Sequence, residues 1–329
     1  MNKQITVLGA GAWGTAIAQL LATNGHNVLL WALESEVARS IETTKINQMY
    51  LPGFSLHNNI RVTTDLAQAV AANEWIFEAI PVAFLRQTLE RAKQHVHNNA
   101  QWVVLSKGIE RDTLLLPSQI IHDVCGNKNS VAVLSGPTFA QELVAQQISA
   151  AELACGDADV LQELETILTN NFFKLYTTAD TVGVQFGGSM KNVLALAVGI
   201  AQGHGCTANT TAYLLTVGLD EMSSLITHCG GKAATVYGLS GLGDIMLTCF
   251  GSLSKNLRAG TILGKNRSLE ALQKDFQTLP EGINTAQTIN QLLVRESLSL
   301  PLFGWVYEYL FGVALFEDLF SSLRSHQQL

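Results

Sequence analysis

Lys191 is the residue whose surroundings in this sequence most clearly favour proton-transfer chemistry. It lies in the stretch GGSMKNVLALAVGIA, just before an almost wholly apolar helical run. A lysine that loses hydration in such surroundings has a lowered pKa, which suits exchange of a proton with a substrate oxygen. The alternative is a lysine that buries only its aliphatic stem and keeps its ammonium group at the surface.

Asp244, in the stretch GLGDIM, is a carboxylate among apolar residues and therefore needs a partner. We expect that partner to be Lys191, across the junction between two domains. The alternative is that Asp244 caps the helix that follows it.

Three further stretches carry groups that could bind an anionic substrate. Lys107, in LSKGIE, directly follows a predicted strand, and Thr138, in SGPTFA, lies between a predicted strand and a helix. The carboxyl ends of strands border the ligand crevice of doubly wound sheets, so both are candidate contacts; a solvated lysine and a simple helix cap are the alternatives. Ser254, Lys255 and Asn256 form a donor cluster suited to phosphate, which alone could equally be a polar loop.

The stretch GAGAWG, from Gly9 to Gly14, has the G-x-G-x-x-G spacing of a dinucleotide-binding turn. It lies between a β-rich run at residues 5–8 and a helical pattern at 14–24, and a second strand follows at 28–31. In such a βαβ unit Gly9 permits the turn, Gly11 lets the backbone approach a pyrophosphate, and Gly14 lets helix and strand pack closely. The helix N-terminus then favours the phosphate charge.

The residues after the second strand bear on the choice between NAD and NADP. An acidic residue there binds the ribose 2′-hydroxyl, and an arginine accommodates a 2′-phosphate. The sequence reads Trp31-Ala-Leu-Glu34, with Glu34 slightly beyond the usual place and the first basic residue at Arg39. This favours NAD and leaves NADP open; the alternative for Glu34 is an acid at a helix start.

These groups must be positioned by two different kinds of domain. Continuous β-rich runs at 75–80, 102–105, 131–134, 150–154 and 172–176 alternate with helical segments, which predicts a parallel sheet covered on both faces. From about residue 180 such runs become rare, and residues 189–203, 208–228 and 301–323 have helical periodicity. We therefore predict an α/β fold with a Rossmann-like, doubly wound dinucleotide-binding domain over 1–186 and an all-α substrate and catalytic domain over 187–329.

Composition narrows the function classes. The chain has 329 residues, a net charge of −7 and 47% hydrophobic residues, which is typical of a globular protein and gives no electrostatic support for nucleic-acid binding. Five scattered cysteines without a C-x-x-C indicate a reducing compartment, and no metal-ligand spacing is present. We expect no metal, no secretory signal, no stable membrane insertion and a cytoplasmic location.

Taken together, these stretches resemble NAD(P)-dependent glycerol-3-phosphate dehydrogenase of the bacterial biosynthetic type. The matching pieces run from Gly9 to about Pro301, and SGPTFA followed by GG-x-x-KN and GLGD is highly specific. The resemblance implies reversible hydride transfer between NAD(P)H and dihydroxyacetone phosphate, giving sn-glycerol 3-phosphate, the backbone of phospholipids. The long apolar helices of the second half are compatible with a homodimer.

The resemblance also implies roles for individual residues, with Lys191 as general acid and base at the C2 oxygen. The residues it places around the substrate are Lys107, Gly136, Thr138, Lys191, Asp244, Ser254, Lys255 and Asn256. The residues it implies for the cofactor, added to Gly9, Gly11 and Gly14, are Ala12, Trp13, Leu33, Lys107, Ala140, Lys255, Leu279 and Glu281.

The chain departs from the family pattern at several positions. Lys255 stands where an arginine is usual, so the charge is kept but the bidentate fork is lost. Thr211 and Val217 stand where basic residues are common, and Leu33 replaces a polar or basic residue, which weakens the case for NADP. Glu78 stands inside a predicted strand where an apolar residue is common.

Two other functions share parts of this pattern. Another two-domain dehydrogenase, acting on a hydroxyacyl or hydroxy-acid substrate, would share the glycine-rich turn without needing Lys191 or the Ser254 cluster. A non-catalytic dinucleotide sensor would keep the turn and dispense with Lys191. Oxidation of NADH with dihydroxyacetone phosphate discriminates among the three.

Overall fold

The computed structural model describes residues 2–126, 130–251, 253–276 and 278–323. The chain divides into two compact units: Met1–Lys107 with Leu116–Thr181, and Gly108–Leu115 with Val182–Leu329. The first unit therefore ends before the sequence-based boundary at 186, and a short segment at 108–115 groups with the second. The domain limits 1–186 and 187–329 stay a prediction.

Within the described residues of the first unit, eight strands form one sheet in the order β3-β2-β1-β4-β5-β6-β7-β8. The strands are β1 (Gln4–Leu8), β2 (Asn27–Trp31), β3 (Ile60–Thr63), β4 (Trp75–Glu78), β5 (Gln101–Val104), β6 (Val131–Ser135), β7 (Ser149–Ala154) and β8 (Phe173–Thr178). The central strands are buried along nearly their whole length, as expected of a sheet covered on both faces. The predicted doubly wound α/β architecture is thus confirmed.

Helices connect these strands and cover the sheet. They are α1 (Ala12–Thr23), α2 (Ser35–Thr44), α3 (Leu66–Ala72), α4 (Val82–Ala92), α5 (Pro117–Cys125), α6 (Ala140–Val144) and α7 (Ala158–Leu168). The chain passes from β1 outward to β2 and β3 and then returns to β4 on the other side of β1. This reversal is the topological switch point, where ligands bind beyond the carboxyl ends of the strands.

Two features of the sheet differ from the sequence analysis. β3 was not predicted, since it has only four residues and alternates apolar with polar side chains at an edge of the sheet. β7 pairs with β6 in the antiparallel direction, while the other neighbouring strands pair in parallel. The residue types of β7 do not distinguish the two directions, because its short, half-buried sequence of small and mixed residues can pair with a neighbour in either direction.

The described part of the second unit is helical. Its helices are α8 (Thr181–Gly203, which begins at the last residue of the first unit), α9 (Ala208–His228), α10 (Asp244–Phe250), α11 (Lys255–Asn266), α12 (Leu269–Leu272), α13 (Glu281–Glu296), α14 (Pro301–Phe311) and α15 (Asp318–Leu323). A 3₁₀ turn at Ala233–Tyr237 and a π turn at Leu239–Gly243 lead into α10. The predicted helical stretch over 301–323 is divided after Phe311, where Gly312 ends α14.

α8 is the core helix of this unit. Within the described residues it is the one helix long and apolar enough to cross a membrane by length and composition, but 94% of its most apolar window is buried inside the protein. Such burial is typical of the core helix of a soluble protein rather than of a membrane span.

Four glycines let α8 and α11 approach at backbone distance. They lie four residues apart on each helix, Gly199 and Gly203 on α8 and Gly260 and Gly264 on α11. A Cβ atom at Gly203 would lie 2.5 Å from the Thr261 carbonyl oxygen, and one at any of the other three would overlap backbone atoms of the facing helix. We call these four residues the glycine seam; it fixes the spacing between α8 and α11.

Glu221 connects α9 to the start of α14. Its carboxyl oxygens accept hydrogen bonds from the backbone N–H groups of Leu302 and Phe303 at 2.8 and 3.2 Å. These are first-turn donors that the helix itself cannot satisfy. The side chain is fully buried, and this burial raises the pKa of Glu221 to about 7.

Candidate active site

The glycine-rich turn between β1 and α1 has no room for side chains at its two outer glycines. Gly9 has φ +110°, and a Cβ atom there would lie 2.7 Å from the Ala79 carbonyl oxygen at the end of β4. A Cβ atom at Gly14 would overlap the Gly9 carbonyl oxygen. The turn therefore presses the start of α1 against the two strands at the switch point, as the sequence pattern predicted.

The turn leaves polar donors for a ligand. α1 begins after Gly11, and no side chain caps its first N–H groups. The indole N–H of Trp13 is buried without a hydrogen-bond partner among the described residues. A helix N-terminus with free N–H groups suits a pyrophosphate, so Gly9 to Gly14, including Ala12, fit a dinucleotide.

The end of β2 presents an apolar and an acidic side chain side by side. Leu33 is 65% exposed. Glu34 accepts a hydrogen bond at 2.9 Å from the hydroxyl group of Tyr50, and this bond raises the pKa of Tyr50. Glu34 directly precedes α2, where an acid at a helix start is the alternative role, but its side chain makes no cap on that helix.

Three residues that the resemblance implies as substrate contacts, Lys107, Gly136 and Thr138, lie together in the first unit, beyond the carboxyl ends of β5 and β6. The Lys107 ammonium donates to the Gly136 carbonyl oxygen at 3.4 Å, and the Thr138 hydroxyl donates to the same oxygen at 3.3 Å. Thr138 does not cap α6, which begins at Ala140 after Phe139 without a side-chain cap. The helix-cap alternative for Thr138 is therefore wrong.

Glu78, a departure from the family pattern, is a buried carboxyl group. It ends β4 and is 0% exposed. One oxygen accepts from the Ile80 N–H at 2.6 Å, and the other accepts from the Ser106 hydroxyl at 2.7 Å. Burial raises the pKa of Glu78 to about 7, and the hydrogen bonds oppose that rise.

In the second unit, the Lys191 ammonium forms an ion pair with the Asp244 carboxylate. The Lys191 side chain is 11% exposed and that of Asp244 is 1% exposed. The expected pairing is confirmed. Both residues belong to the second unit, as the predicted limits 187–329 also imply, so the pair does not cross a junction between domains. The two alternatives are therefore wrong: the ammonium group of Lys191 is not left at the surface, and the Asp244 side chain is engaged with Lys191 rather than capping α10.

The buried thiol of Cys249 lies close enough to this ion pair for both charges to act on it. Burial raises the pKa of Cys249 to about 12, so the thiol stays protonated near neutral pH and is a poor nucleophile.

A chain of amide groups extends from Asn192, the neighbour of Lys191. Asn256 donates to the Asn192 side-chain oxygen at 2.9 Å and accepts from the Gly282 N–H at 3.0 Å. Asn192 in turn donates to a Glu281 carboxylate oxygen at 3.4 Å. Asn256 is thus partly occupied in joining α8, α11 and α13, a role the sequence did not indicate.

The remaining predicted residues lie at the start of α11 and shortly before α13. Ser254 caps that helix by accepting from the Leu257 N–H at 3.2 Å. Lys255 is exposed on its first turn, and Leu279 is 41% exposed shortly before α13. Arg258, the other cation of this cluster, forms an ion pair with Asp275 at 2.6 Å.

The two departures in α9 are both buried, Thr211 being 5% and Val217 1% exposed. Within the described part of the chain, no group of three or more His, Cys, Asp or Glu side chains is arranged to hold a metal ion. The predicted residues thus form two sets, each assembled within its own unit: the turn, Lys107, Gly136 and Thr138 in one, and the Lys191 pair with the α11 cluster in the other.

Comparison with known families accounts for almost the whole chain. Residues 4–161 match the model of the NAD-dependent glycerol-3-phosphate dehydrogenase N-terminus, and residues 180–321 match that of its C-terminus. The chain belongs to the NAD-dependent glycerol-3-phosphate dehydrogenase family.

Individual relatives agree with this. The chain is 38% identical to a glycerol-3-phosphate dehydrogenase [NAD(P)+] of Bacillus pumilus, covering 98% of this chain and 94% of the relative. It is 36% identical to one of Teredinibacter turnerae, covering 94% and 91%. The crystal structure of glycerol-3-phosphate dehydrogenase from Coxiella burnetii superposes with a TM-score of 0.91 at 30% identity, over 100% of this chain and 99% of that one.

The family assignment, the fold class and the classification as an NAD(P)-dependent oxidoreductase are therefore confirmed. Both NAD and NADP are compatible with the family as these relatives are named. The roles of individual residues stay predictions.

Proposed function

We propose that this chain transfers hydride from NAD(P)H to C2 of dihydroxyacetone phosphate, giving sn-glycerol 3-phosphate, and that the reaction is reversible. The observation that carries the proposal is the Lys191–Asp244 ion pair, which holds a nearly buried ammonium group in the part of the chain that matches the family's C-terminal model. The bound nicotinamide supplies the hydride, and the protein must supply a proton to the C2 oxygen. The product is the backbone of phospholipids, which assigns the enzyme to lipid biosynthesis.

Lys191 serves as the general acid. As hydride reaches the carbonyl carbon, negative charge develops on oxygen, and an ammonium group within hydrogen-bond reach stabilises it and then releases a proton. Burial favours the neutral amine, whereas Asp244 and the substrate phosphate favour the ammonium form. In the reverse direction the neutral amine takes the proton from the C2 hydroxyl.

Lys255 and the first turn of α11 bind the substrate phosphate in this proposal. Lys255 is exposed there, and the N-terminal end of a twelve-residue helix favours an anion. Arg258 is paired with Asp275, which makes Lys255 the better candidate of the two cations. Lys107, Gly136 and Thr138 are the residues of the first unit that the resemblance implies as substrate contacts.

The cofactor preference follows from the end of β2. Leu33 offers no charge, and Glu34, held by Tyr50, would repel a 2′-phosphate and accept from a 2′-hydroxyl. We predict that kcat/KM with NADH at least equals that with NADPH, measured at saturating dihydroxyacetone phosphate. A strong preference for NADPH would instead point to a basic side chain such as Arg39 or Lys255 at the ribose.

The function is tested by following NADH absorbance with dihydroxyacetone phosphate, with a 2-oxo acid and with a 3-oxoacyl thioester in parallel. Oxidation with dihydroxyacetone phosphate alone supports the proposal. Oxidation with one of the other substrates would favour a hydroxy-acid or hydroxyacyl dehydrogenase. NADH binding without turnover of any of them would favour the dinucleotide sensor.

We further infer a cytoplasmic enzyme that acts on a small molecule and forms a homodimer. The supporting observations are the burial of α8 and large apolar side chains left exposed in the second unit, such as Tyr237 (62%) and Phe250 (60%). Light scattering at micromolar concentration measures the state directly, and a monomer mass would remove the dimer from the proposal.

A further inference from the structure

Glu78 lies at the point of the sheet where a ligand-binding crevice is expected. It is the last residue of β4, and it pairs in register with Leu8 of β1 on one side and Val104 of β5 on the other. Because the strand order reverses between β1 and β4, the carboxyl end of β4 borders the topological switch point. The N–H of the next residue, Ala79, donates at 2.8 Å to the carbonyl oxygen of Leu8, directly before the glycine-rich turn.

The carboxyl group of Glu78 binds two separate connecting segments. Toward α4 it accepts from the Ile80 N–H, two residues on. Toward the segment after β5 it accepts from the Ser106 hydroxyl and from the Ser106 backbone N–H. One side chain therefore ties together the backbone that leaves β4 and the backbone that leaves β5.

The partners of these hydrogen bonds indicate that Glu78 does more than fill space in the core. Burying a carboxyl group is unfavourable unless its oxygens are hydrogen-bonded, and an apolar side chain would fill a strand position without that cost. Here the bonds go to Ile80 and Ser106, residues of the crevice rim. Ser106 is followed directly by Lys107, whose ammonium reaches the Gly136 carbonyl oxygen beyond β6.

We propose that Glu78 is a positioning residue that holds the segment after β5, through Ser106, so that the Lys107 ammonium is directed at the substrate. This inference rests on the proposed function, because it needs Lys107 to contact dihydroxyacetone phosphate. Glu78 itself touches neither substrate nor cofactor in this account. Its effect on the reaction passes through the backbone of Ser106 to the next residue.

A double-mutant cycle on the full chain tests this. The enzymes are wild type, Glu78→Gln, Lys107→Ala and the double variant, each assayed for kcat and KM with dihydroxyacetone phosphate and for NADH affinity by fluorescence. Glutamine keeps the size of the side chain but replaces one carboxylate oxygen by an NH₂ group. That group cannot accept the hydrogen bonds that Ile80 and Ser106 donate to Glu78. Glu221→Gln is the matched control, since Glu221 is also fully buried and binds backbone N–H groups, but at the start of α14.

We expect Glu78→Gln to lower kcat/KM about ten- to a hundredfold, the size of effect that a small misplacement of a substrate contact produces. In the Lys107→Ala background the same change should alter kcat/KM less than threefold, because the group it positions is gone. Glu221→Gln should leave KM within twofold of wild type. If Glu78→Gln does not fold, Ser106→Ala takes its place in the cycle with the same expectation.

Equal factors in both backgrounds would overturn the proposal, since Glu78 would then act independently of Lys107. So would a wild-type kcat/KM in both Glu78→Gln and Ser106→Ala, or a Lys107→Ala enzyme with unchanged kinetics. Failure of the proposed function appears differently: wild type itself would not oxidise NADH with dihydroxyacetone phosphate.

Discussion

The ammonium group of Lys191 has a buried counter-ion, Asp244, so this lysine can serve both the chemistry and the folding of the protein. Lys191→Met keeps the length and apolar packing of the side chain but removes the donor and the proton. We predict that kcat falls at least ~10², the low end of general acid catalysis. NADH affinity should change little, because the glycine-rich turn is in the other unit.

The control for Lys191→Met must separate lost chemistry from lost folding. Removing one partner of a buried pair leaves Asp244 uncompensated, which costs about 3–5 kcal/mol, so Lys191→Met/Asp244→Asn is made beside it and both are checked for thermal unfolding. Lys265→Met, at an exposed position of α11, controls for loss of a lysine. A folded Lys191→Met enzyme with more than a tenth of wild-type kcat would remove Lys191 from the mechanism and leave Lys107 as the next candidate acid.

Lys255 carries a different part of the reaction, namely binding of the phosphate. Loss of one charged hydrogen bond costs about 1.5–3 kcal/mol, so Lys255→Ala should raise KM for dihydroxyacetone phosphate roughly 10- to 150-fold with a smaller change in kcat. Lys255→Arg should be tolerated or improve binding, because the planar fork matches phosphate geometry. An unchanged KM in Lys255→Ala would assign the phosphate to another group, such as Arg258.

At the scale of elements, the glycine seam determines how closely the helix of Lys191 approaches the helix of Ser254 and Asn256. A methyl group at Gly260 would overlap the Leu196 carbonyl oxygen of α8. We predict that Gly260→Ala lowers the free energy of unfolding by about 1–3 kcal/mol or more, as overpacking against rigid backbone does, measured by urea unfolding.

The chain offers a matched control for that substitution. Gly304 is also inside a helix, α14, but a Cβ atom there would meet nothing within 4 Å. Gly304→Ala should therefore stabilise, by up to about 1 kcal/mol from helix propensity. Equal effects of Gly260→Ala and Gly304→Ala would show that α8 and α11 can separate without loss.

The elements also show what the sequence could and could not predict. Long apolar runs predicted the central strands and α8, and the glycine spacing predicted the turn at Gly9, because buried segments and tight turns each require particular residue types. β3 was missed since a short edge strand buries little, and the direction of β7 has no compositional signal. The partner of Lys191 followed from the cost of an unpaired Asp244, but the bonds of Glu78, Glu221 and Asn256 join residues far apart in sequence, where no local pattern exists.

At the scale of the whole molecule, buried carboxyl groups make stability depend on pH. The pKa of Glu221 is raised by burial to about 7, above the ordinary value of 4.5. Because the folded state holds the proton more tightly, the stabilising contribution is fully present below about pH 4.5 and is lost as pH rises through 7. The loss amounts to about 3 kcal/mol.

Glu221→Gln removes this titrating group and should make the free energy of unfolding depend less on pH. We predict that the free energy of unfolding of the variant changes about 2–3 kcal/mol less than that of wild type between pH 5 and 8, measured by urea unfolding at each pH. Glu78→Gln should act in the same direction, since burial raises the pKa of Glu78 to about 7 as well. Parallel curves for wild type and Glu221→Gln would contradict the assignment.

The glycine seam also determines which mutations this gene can accumulate. Every other amino acid carries a Cβ atom, so a missense change in the codon of Gly199, Gly203, Gly260 or Gly264 always places an atom where the facing helix already has backbone. No conservative replacement exists at these codons, and a compensating change on the opposite helix cannot help, because a main-chain atom cannot be made smaller. In a library of all single substitutions, missense changes at these codons should be depleted relative to synonymous ones, whereas the codon of Gly304 in α14 should accept alanine.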